Sequence, residues 1–164
     1  MRLLEIITVC ETGGCRIEGV AESIVTDSVV KIVGAGLAGS EAAWQLASRG
    51  IRVRLFEMKK NKKTPAQKTD ALAELVCSNS LGSNKPSTGS GLLKREMSRF
   101  DSLILKCARE AAVPGGDALA VNRVDFSNAV TAAIASHPLI EKIDEEIVDL
   151  SGDDITLVAT GPLT

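Results

Sequence analysis

The chain has few aromatic residues and no apolar run long enough to cross a bilayer. Aromatic side chains make up 2% of its 164 residues, and tyrosine is absent. The core must therefore be aliphatic and rich in alanine, which is typical of a parallel sheet covered by helices. A membrane span needs about 20 consecutive apolar residues, and the N-terminus has no signal-peptide pattern. These absences predict a soluble protein of the cytoplasm.

Cysteine, histidine and excess charge are also scarce. The four cysteines, Cys10, Cys15, Cys77 and Cys107, are too few and too scattered for a disulfide framework, so reduced thiols are expected. His137 has no acidic or cysteine neighbour in sequence and is predicted to be a surface residue at a helix end, so no metal site is predicted. The formal net charge of −2 excludes a strongly basic, histone-like mode of binding nucleic acid.

Residues 1–28 have poor periodicity and precede the strand that should open the domain. Acidic residues outnumber arginines in this segment, which argues against a transit peptide because transit peptides are poor in acidic residues. Two interpretations remain, a disordered extension and a misassigned start codon, and the second is slightly favoured. The predicted domain therefore covers residues 29–164.

A glycine-rich turn between two strand-like segments is the most informative feature of the chain. An apolar segment over 29–33 leads into Gly34-Ala35-Gly36-Leu37-Ala38-Gly39, and a helical pattern then leads to a second strand over 51–56. This order is that of a dinucleotide-binding βαβ unit. In such a unit Gly34 makes the tight turn, Gly36 lets the backbone approach a pyrophosphate, and Gly39 permits close packing of the helix. A glycine turn without a ligand is the alternative.

Two further features extend this prediction. Amide groups at the start of the helix, together with its positive dipole end, can hold phosphates. Glu57 ends the second strand, about where an acidic residue takes ribose hydroxyls, and its charge favours an unphosphorylated ribose. Thr160 and Gly161 follow the last predicted strand, and ligands of open α/β sheets bind beyond the carboxyl ends of the strands.

Apolar periodicity predicts the remaining elements. A short helix is expected at residues 71–76, a helix capped by Asp125 carries Phe126 on its buried side, and strands are expected over 140–143, 147–150 and 155–159. One longer helix is expected to bury a stripe made of Leu93, Met97, Phe100, Ile104, Cys107 and Ala111. The predicted fold class is α/β, Rossmann-like, with a parallel sheet and a small β meander.

Several segments together resemble the N-terminal part of the folate- and FAD-dependent tRNA (uracil-5-)-methyltransferases. They are the glycine fingerprint, Glu57-Met58, Thr64-Pro65-Ala66, Ala73-Glu74-Leu75-Val76-Cys77-Ser78-Asn79-Ser80-Leu81, Gly91-Leu92-Leu93-Lys94 and Ala159-Thr160-Gly161-Pro162-Leu163-Thr164. The resemblance covers about residues 29–164. Its specificity rests on the run over 75–80 and on the segment 118–121 before Arg123. Flavoproteins that modify the tRNA wobble uridine share part of the fingerprint but typically carry histidine where this chain has Leu37.

The resemblance implies a Rossmann-like FAD/NAD(P)-binding domain, incomplete at the C-terminus, and a reaction. Methylenetetrahydrofolate gives the one-carbon unit, reduced FAD supplies reducing equivalents, NAD(P)H reduces the flavin, and a uridine in the T-arm of tRNA becomes 5-methyluridine. Uracil C5 is a poor nucleophile until a thiolate adds to C6, and the resemblance points to Cys77 as the catalytic thiol. Attack on uracil, proton transfer and support of the flavin all remain open as its role, and a structural thiol is the alternative.

The resemblance also implies FAD contacts from Met58 and Arg123, although an ordinary surface charge is an equal interpretation of Arg123. A basic loop is a candidate contact for tRNA phosphates or a merely hydrated segment; its lysines are Lys59, Lys60, Lys62, Lys63 and Lys68. The family completes its flavin site and carries its folate and tRNA surfaces in a C-terminal portion. This chain alone is therefore expected to hold the adenosine half of FAD weakly. The alternative functions are a non-catalytic dinucleotide-binding module and a flavin oxidoreductase acting on small metabolites.

Overall fold

The computed structural model describes residues 29–151 and 155–161, so the predictions made for residues 1–28 lie outside it. The strands are β1 (Val29–Val33), β2 (Arg52–Phe56), β3 (Ser80–Ser83), β4 (Ala112–Val113), β5 (Ala118–Val121), β6 (Ile140–Ile143) and β7 (Thr156–Val158). The helices are α1 (Leu37–Ala47), α2 (Gly89–Ser98), α3 (Leu103–Glu110) and α4 (Arg123–Ser136). Together they form an α/β fold, which confirms the predicted class.

A parallel sheet of four strands, in the order β6-β2-β1-β7, carries the predicted βαβ unit. Its inward side chains include Ile32 and Leu55, which are fully buried, as expected for strands covered by helices. Helix α1 packs through Gly39, Ser40, Ala43 and Ala47, while Ala38 is exposed. The helix ends in a Schellman motif: Gly50 has φ +84°, and Ile51 donates to the Leu46 carbonyl at 3.1 Å.

A second sheet is antiparallel and has the order β3-β5-β4. Its strand β5 is buried from Leu119 to Val121, in the same apolar cluster as Ile32 and Leu55 of the parallel sheet. The two sheets therefore share one core. Phe126, Val130 and Ile134 of α4 complete that core, as predicted.

The prediction of one long helix that buries a single apolar stripe is wrong, because the helix is interrupted between α2 and α3. Asp101 adopts a left-handed conformation with φ +53°, and Ser102 caps α3 by accepting from the Leu105 amide at 3.2 Å. The break rotates the two halves of the stripe apart. Leu93 and Phe100 are consequently exposed, by 55% and 63%, while Ile104 remains buried.

Two other predicted elements are wrong, and one cap is misplaced. Residues 71–76 form no helix: Ala73 has φ +51°, and its amide donates to the Ala35 carbonyl at 2.9 Å, which makes this segment a turn against the glycine fingerprint. Residues 147–150 are irregular and form no strand.

Helix α4 is capped by Asn122, whose Oδ1 accepts from the Val124 amide at 3.0 Å, rather than by Asp125. His137 ends α4, as predicted, in edge contact with Trp44.

Candidate dinucleotide-binding site

The glycine turn joins β1 to α1 in a shape that side chains would block. Gly34 has φ +97°, and a Cβ there would lie 2.7 Å from the Ala159 carbonyl oxygen of the neighbouring strand segment. A Cβ at Gly39 would lie 1.8 Å from the Gly34 carbonyl oxygen, so the helix can approach the turn only through glycine. Both roles predicted for these glycines are consistent with this geometry.

Gly36 has a different setting, since it faces open space. A Cβ at this position would meet nothing within 4 Å, and Gly36 is the N-cap of α1, with no side-chain cap. Amides of the first helical turn lack partners within the helix, and Leu37 and Ala38 contribute two of them here. Open space in front of free amides at a positive dipole end suits a phosphate group.

Glu57 is a buried carboxylate that is fixed by the backbone. Its Oε2 accepts from the Ala35 amide at 2.9 Å and its Oε1 accepts from the Lys59 amide at 3.0 Å. The Ala35 amide is thus committed to Glu57 rather than directed at a ligand. These two bonds hold the acidic group at the end of β2, beside the glycine turn.

A cleft of 510 Å³ opens beyond the carboxyl ends of β1, β2 and β7, which is where open α/β sheets bind ligands. Its volume lies within the usual range for small-molecule sites. The structure brings five of the predicted residues together in its wall: Gly34, Gly36, Glu57, Met58 and Thr160.

The other predicted residues lie elsewhere. Ala35 and Gly39 are buried under the turn, and Gly161, with φ +78°, follows Thr160 outside the cleft wall.

Arg123 is exposed at the start of α4, and the cleft wall does not include it. Cys77 is an exposed thiol one residue beyond Val76, which does line the cleft. The roles of Arg123 and Cys77 stay predictions.

The basic loop after β2 is largely neutralised by carboxylates. Nζ of Lys62 lies 2.6 Å from Glu146, and Nζ of Lys63 lies 2.5 Å from Asp70. Nζ of Lys60 lies 3.4 Å from Asp144. The pairs of Lys60 and Lys62 tie the loop to the segment that follows β6, along one side of the cleft. Lys68 is exposed.

Lys59 departs from the expectation of a surface loop, because its side chain is only 3% exposed. Its Nζ donates to the Ala71 carbonyl and lies 4.0 Å from Glu74 Oε2. Burial lowers the pKa of Lys59, and the nearby carboxylates of Glu57 and Glu74 offset part of that effect. No sequence signal distinguished Lys59 from the exposed lysines that follow it.

Sequence reasoning also missed two polar atoms in the cleft region. Thr64 Oγ1 and Glu74 Oε2 are buried and have no hydrogen-bond partner, and both residues line the cleft. Buried polar atoms without a hydrogen bond are costly. Glu74 Oε2 has only the 4.0 Å ion pair with Lys59, so both atoms are candidate contacts for polar groups of a ligand. Their only signal in the sequence was that Thr64 and Glu74 both stand in segments that carried the family resemblance.

Two kinds of feature are absent from the part of the chain that the structure describes. None of its helices is long and apolar enough to cross a membrane. Across residues 29–151 and 155–161, no three side chains among histidine, cysteine, aspartate and glutamate form a group that could hold a metal ion.

Curated relatives are similar to this chain over most of its length. A protein of Lysinibacillus sphaericus (strain C3-41) is 54% identical over 140 residues, which are 85% of this chain and 32% of that protein. A protein of Lactococcus lactis subsp. lactis (strain IL1403) is 57% identical over 135 residues, or 82% of this chain and 30% of that protein. Both are named methylenetetrahydrofolate–tRNA-(uracil-5-)-methyltransferase TrmFO. This chain spans about a third of the length of these relatives.

Solved structures are similar at a lower level. The p-nitrophenol 4-monooxygenase PnpA of Pseudomonas putida DLL-E4 superposes with a TM-score of 0.49 and 18% identity, over 80% of this chain and 35% of that one. The family model described as glucose inhibited division protein A matches residues 29–162. That match covers both sheets, the glycine turn and all of the cleft wall. The chain therefore belongs to the glucose inhibited division protein A family.

Proposed function

We propose that this chain is the FAD-binding part of an enzyme that forms 5-methyluridine in the T-arm of tRNA. The observation that carries the proposal is the identity of 54–57% to relatives named methylenetetrahydrofolate–tRNA-(uracil-5-)-methyltransferase. In this function methylenetetrahydrofolate is the carbon donor and NAD(P)H the source of electrons. FAD, when bound, carries those electrons to the one-carbon unit.

The cleft residues fit the adenosine diphosphate half of FAD. The open approach to Gly36 and the amides of the first turn of α1 would hold the diphosphate. Glu57, fixed by two backbone amides, would accept from ribose hydroxyls. Thr64 Oγ1 and Glu74 Oε2, which have no hydrogen-bond partner, would meet polar groups of the nucleoside. A 2′-phosphate would place a second negative charge against Glu57, so the cleft selects an unphosphorylated ribose.

Cys77 is the residue of this chain that we assign to the uridine. A thiolate that adds to C6 of uracil raises electron density at C5, which is the carbon to be methylated. The thiol is exposed, as a contact with a bulky substrate requires. Val76, the neighbouring residue, lines the FAD cleft.

A chimera tests the proposed function directly. Residues 29–161 of this chain replace the matching segment of the Lactococcus lactis relative, and 5-methyluridine is measured in tRNA from cells that lack their own enzyme. We expect the chimera to restore the modified nucleoside. A chimera that is folded and yellow with FAD but forms no 5-methyluridine would contradict the assignment and favour a dinucleotide-binding module without this catalytic role.

A further inference from the structure

A second recess, of 240 Å³, lies apart from the FAD cleft and shares no wall residue with it. Its wall combines α2, α3 and β5. Three cationic side chains, Lys94, Arg95 and Arg109, meet there above the apolar Leu105 and Leu119. No carboxylate is part of this wall. We call this site the basic recess.

The cations of the basic recess differ from those of the loop after β2. Lysines of the loop after β2 are neutralised, as the 2.6 Å pair between Lys62 and Glu146 shows. Within residues 29–151 and 155–161, no carboxylate forms an ion pair with Lys94, Arg95 or Arg109. A protein with a net charge of −2 thus leaves three cations unneutralised at one place.

Lys94 is the buried member of the recess, with 9% of its surface exposed. Its Nζ donates to the carbonyl of Ser83 at 3.0 Å and to that of Ser90 at 3.2 Å. An ammonium group has three donors, so one remains for a ligand. Burial lowers the pKa of Lys94, with no acidic neighbour to oppose it. An oxyanion in the recess would supply the missing negative charge.

Arg109 is held in place by the same helix that carries Lys94. Its Nη2 donates to Ser98 Oγ at 2.6 Å, and Ser98 Oγ donates to the Lys94 carbonyl at 2.6 Å. This relay fixes a guanidinium from α3 against α2 before any ligand arrives. Preorganised guanidinium groups bind phosphate through two parallel hydrogen bonds, which an ammonium group cannot match.

We propose that the basic recess binds a phosphodiester group of the RNA backbone. The charge, the fixed guanidinium and the lack of an acidic wall residue define an oxyanion site, and the identification of its source as RNA rests on the proposed function. The volume of the recess is less than half that of the FAD cleft. Phosphate contacts position a nucleic acid without reading its sequence, so the recess should contribute equally to any RNA of similar shape.

The test measures binding of a fluorescein-labelled, unmodified tRNA transcript to the FAD-loaded chain by anisotropy over a series of salt concentrations. The variant is Arg95→Gln/Arg109→Gln. The matched control is Arg49→Gln/Arg52→Gln, which removes the same charge from two exposed positions outside the recess that form no ion pair with a described carboxylate. We expect the recess variant to weaken tRNA binding about tenfold and to reduce the slope of log K against log salt concentration by about 2, whereas the control keeps both values.

A Lys94→Met variant gives an independent reading of the buried cation, with circular dichroism to confirm its fold. Retained affinity and slope in the folded recess variants would overturn the proposal. So would a wild-type chain that does not bind tRNA, or an equal loss in recess and control variants. FAD affinity, measured separately by flavin fluorescence, should not change in any of them. If the wild-type chain does not bind FAD, that result instead counts against the proposed function.

Discussion

Cys77 is a single exposed side chain on which the proposed chemistry depends. We predict that Cys77→Ala in the chimera abolishes 5-methyluridine formation while FAD binding stays within about twofold, because the thiol lies outside the cleft wall. Tritium release or nucleoside analysis of tRNA measures the first quantity, and flavin absorbance measures the second. Ser78→Ala, which alters the neighbouring exposed residue, is the control. Undiminished methylation by Cys77→Ala would remove this cysteine from the reaction.

Lys59 gives a prediction about pH at the same scale. Its pKa is lowered in the folded chain by burial, so the folded state holds this proton less tightly than the unfolded state does. At neutral pH the folded state therefore keeps a buried positive charge, which lowers the stability of the chain. This loss of stability becomes smaller as the pH rises through the lowered pKa toward the ordinary value near 10.5. The wild type should gain stability relative to Lys59→Met over that interval.

Urea unfolding at pH 7 and at pH 9.5 measures this difference. The exposed Lys60→Met variant controls for the general loss of a positive charge. If the difference in free energy of unfolding between the wild type and Lys59→Met is the same at both pH values, the lowered pKa assigned to Lys59 is wrong.

At the scale of elements, the break between α2 and α3 depends on one backbone conformation. Asp101 has φ +53°, a conformation that glycine adopts without strain. We predict that Asp101→Gly stabilises the chain by about 0.5–1 kcal/mol. Thermal and urea unfolding measure the change. If a continuous helix ran through position 101, Asp101→Gly would instead destabilise the chain, because glycine inside a helix costs about 1 kcal/mol.

The same break shows which elements sequence reasoning reaches. The βαβ unit was predictable because its signals are local: an apolar strand, fixed glycines and a helix that ends at Gly50. The break was missed because the apolar period continues through Phe100. The contacts that favour it are distant in sequence, since Glu41 accepts from Ser102 Oγ and from the Ile104 amide, both at 2.9 Å.

The candidate site likewise contains residues that the sequence predicted and residues that it did not. Gly34, Gly36 and Glu57 line one cleft, and their spacing in the sequence is enough to relate them; their contacts with a ligand stay predictions. Thr64 Oγ1 and Glu74 Oε2, which have no hydrogen-bond partner, come from a loop whose path is set by tertiary contacts such as the bond from the Ala73 amide to the Ala35 carbonyl. No periodicity in the sequence indicates where such a loop will run.

At the scale of the whole molecule, one apolar cluster joins both sheets and α4. We predict that residues 29–161 unfold as one cooperative unit, because neither sheet has a core of its own. Trp44 is the single tryptophan of the chain and lies against His137, so its fluorescence reports on the parallel sheet side. Far-ultraviolet circular dichroism reports on all elements. The two probes should share one urea midpoint, and separate midpoints would show that the antiparallel sheet unfolds independently.

Binding of FAD at the glycine turn is the claim on which the other functional proposals rest. Titration of FAD into the wild type, Gly36→Leu and Gly89→Leu tests it most directly, since neither glycine has a neighbour within 4 Å of an added Cβ. The Cβ of either leucine therefore meets no neighbour, and circular dichroism checks that both variants fold. We expect Gly36→Leu to weaken FAD binding by about 100-fold, because its side chain fills the phosphate approach, while Gly89→Leu binds as the wild type does. Equal FAD affinity in all three proteins would contradict the account.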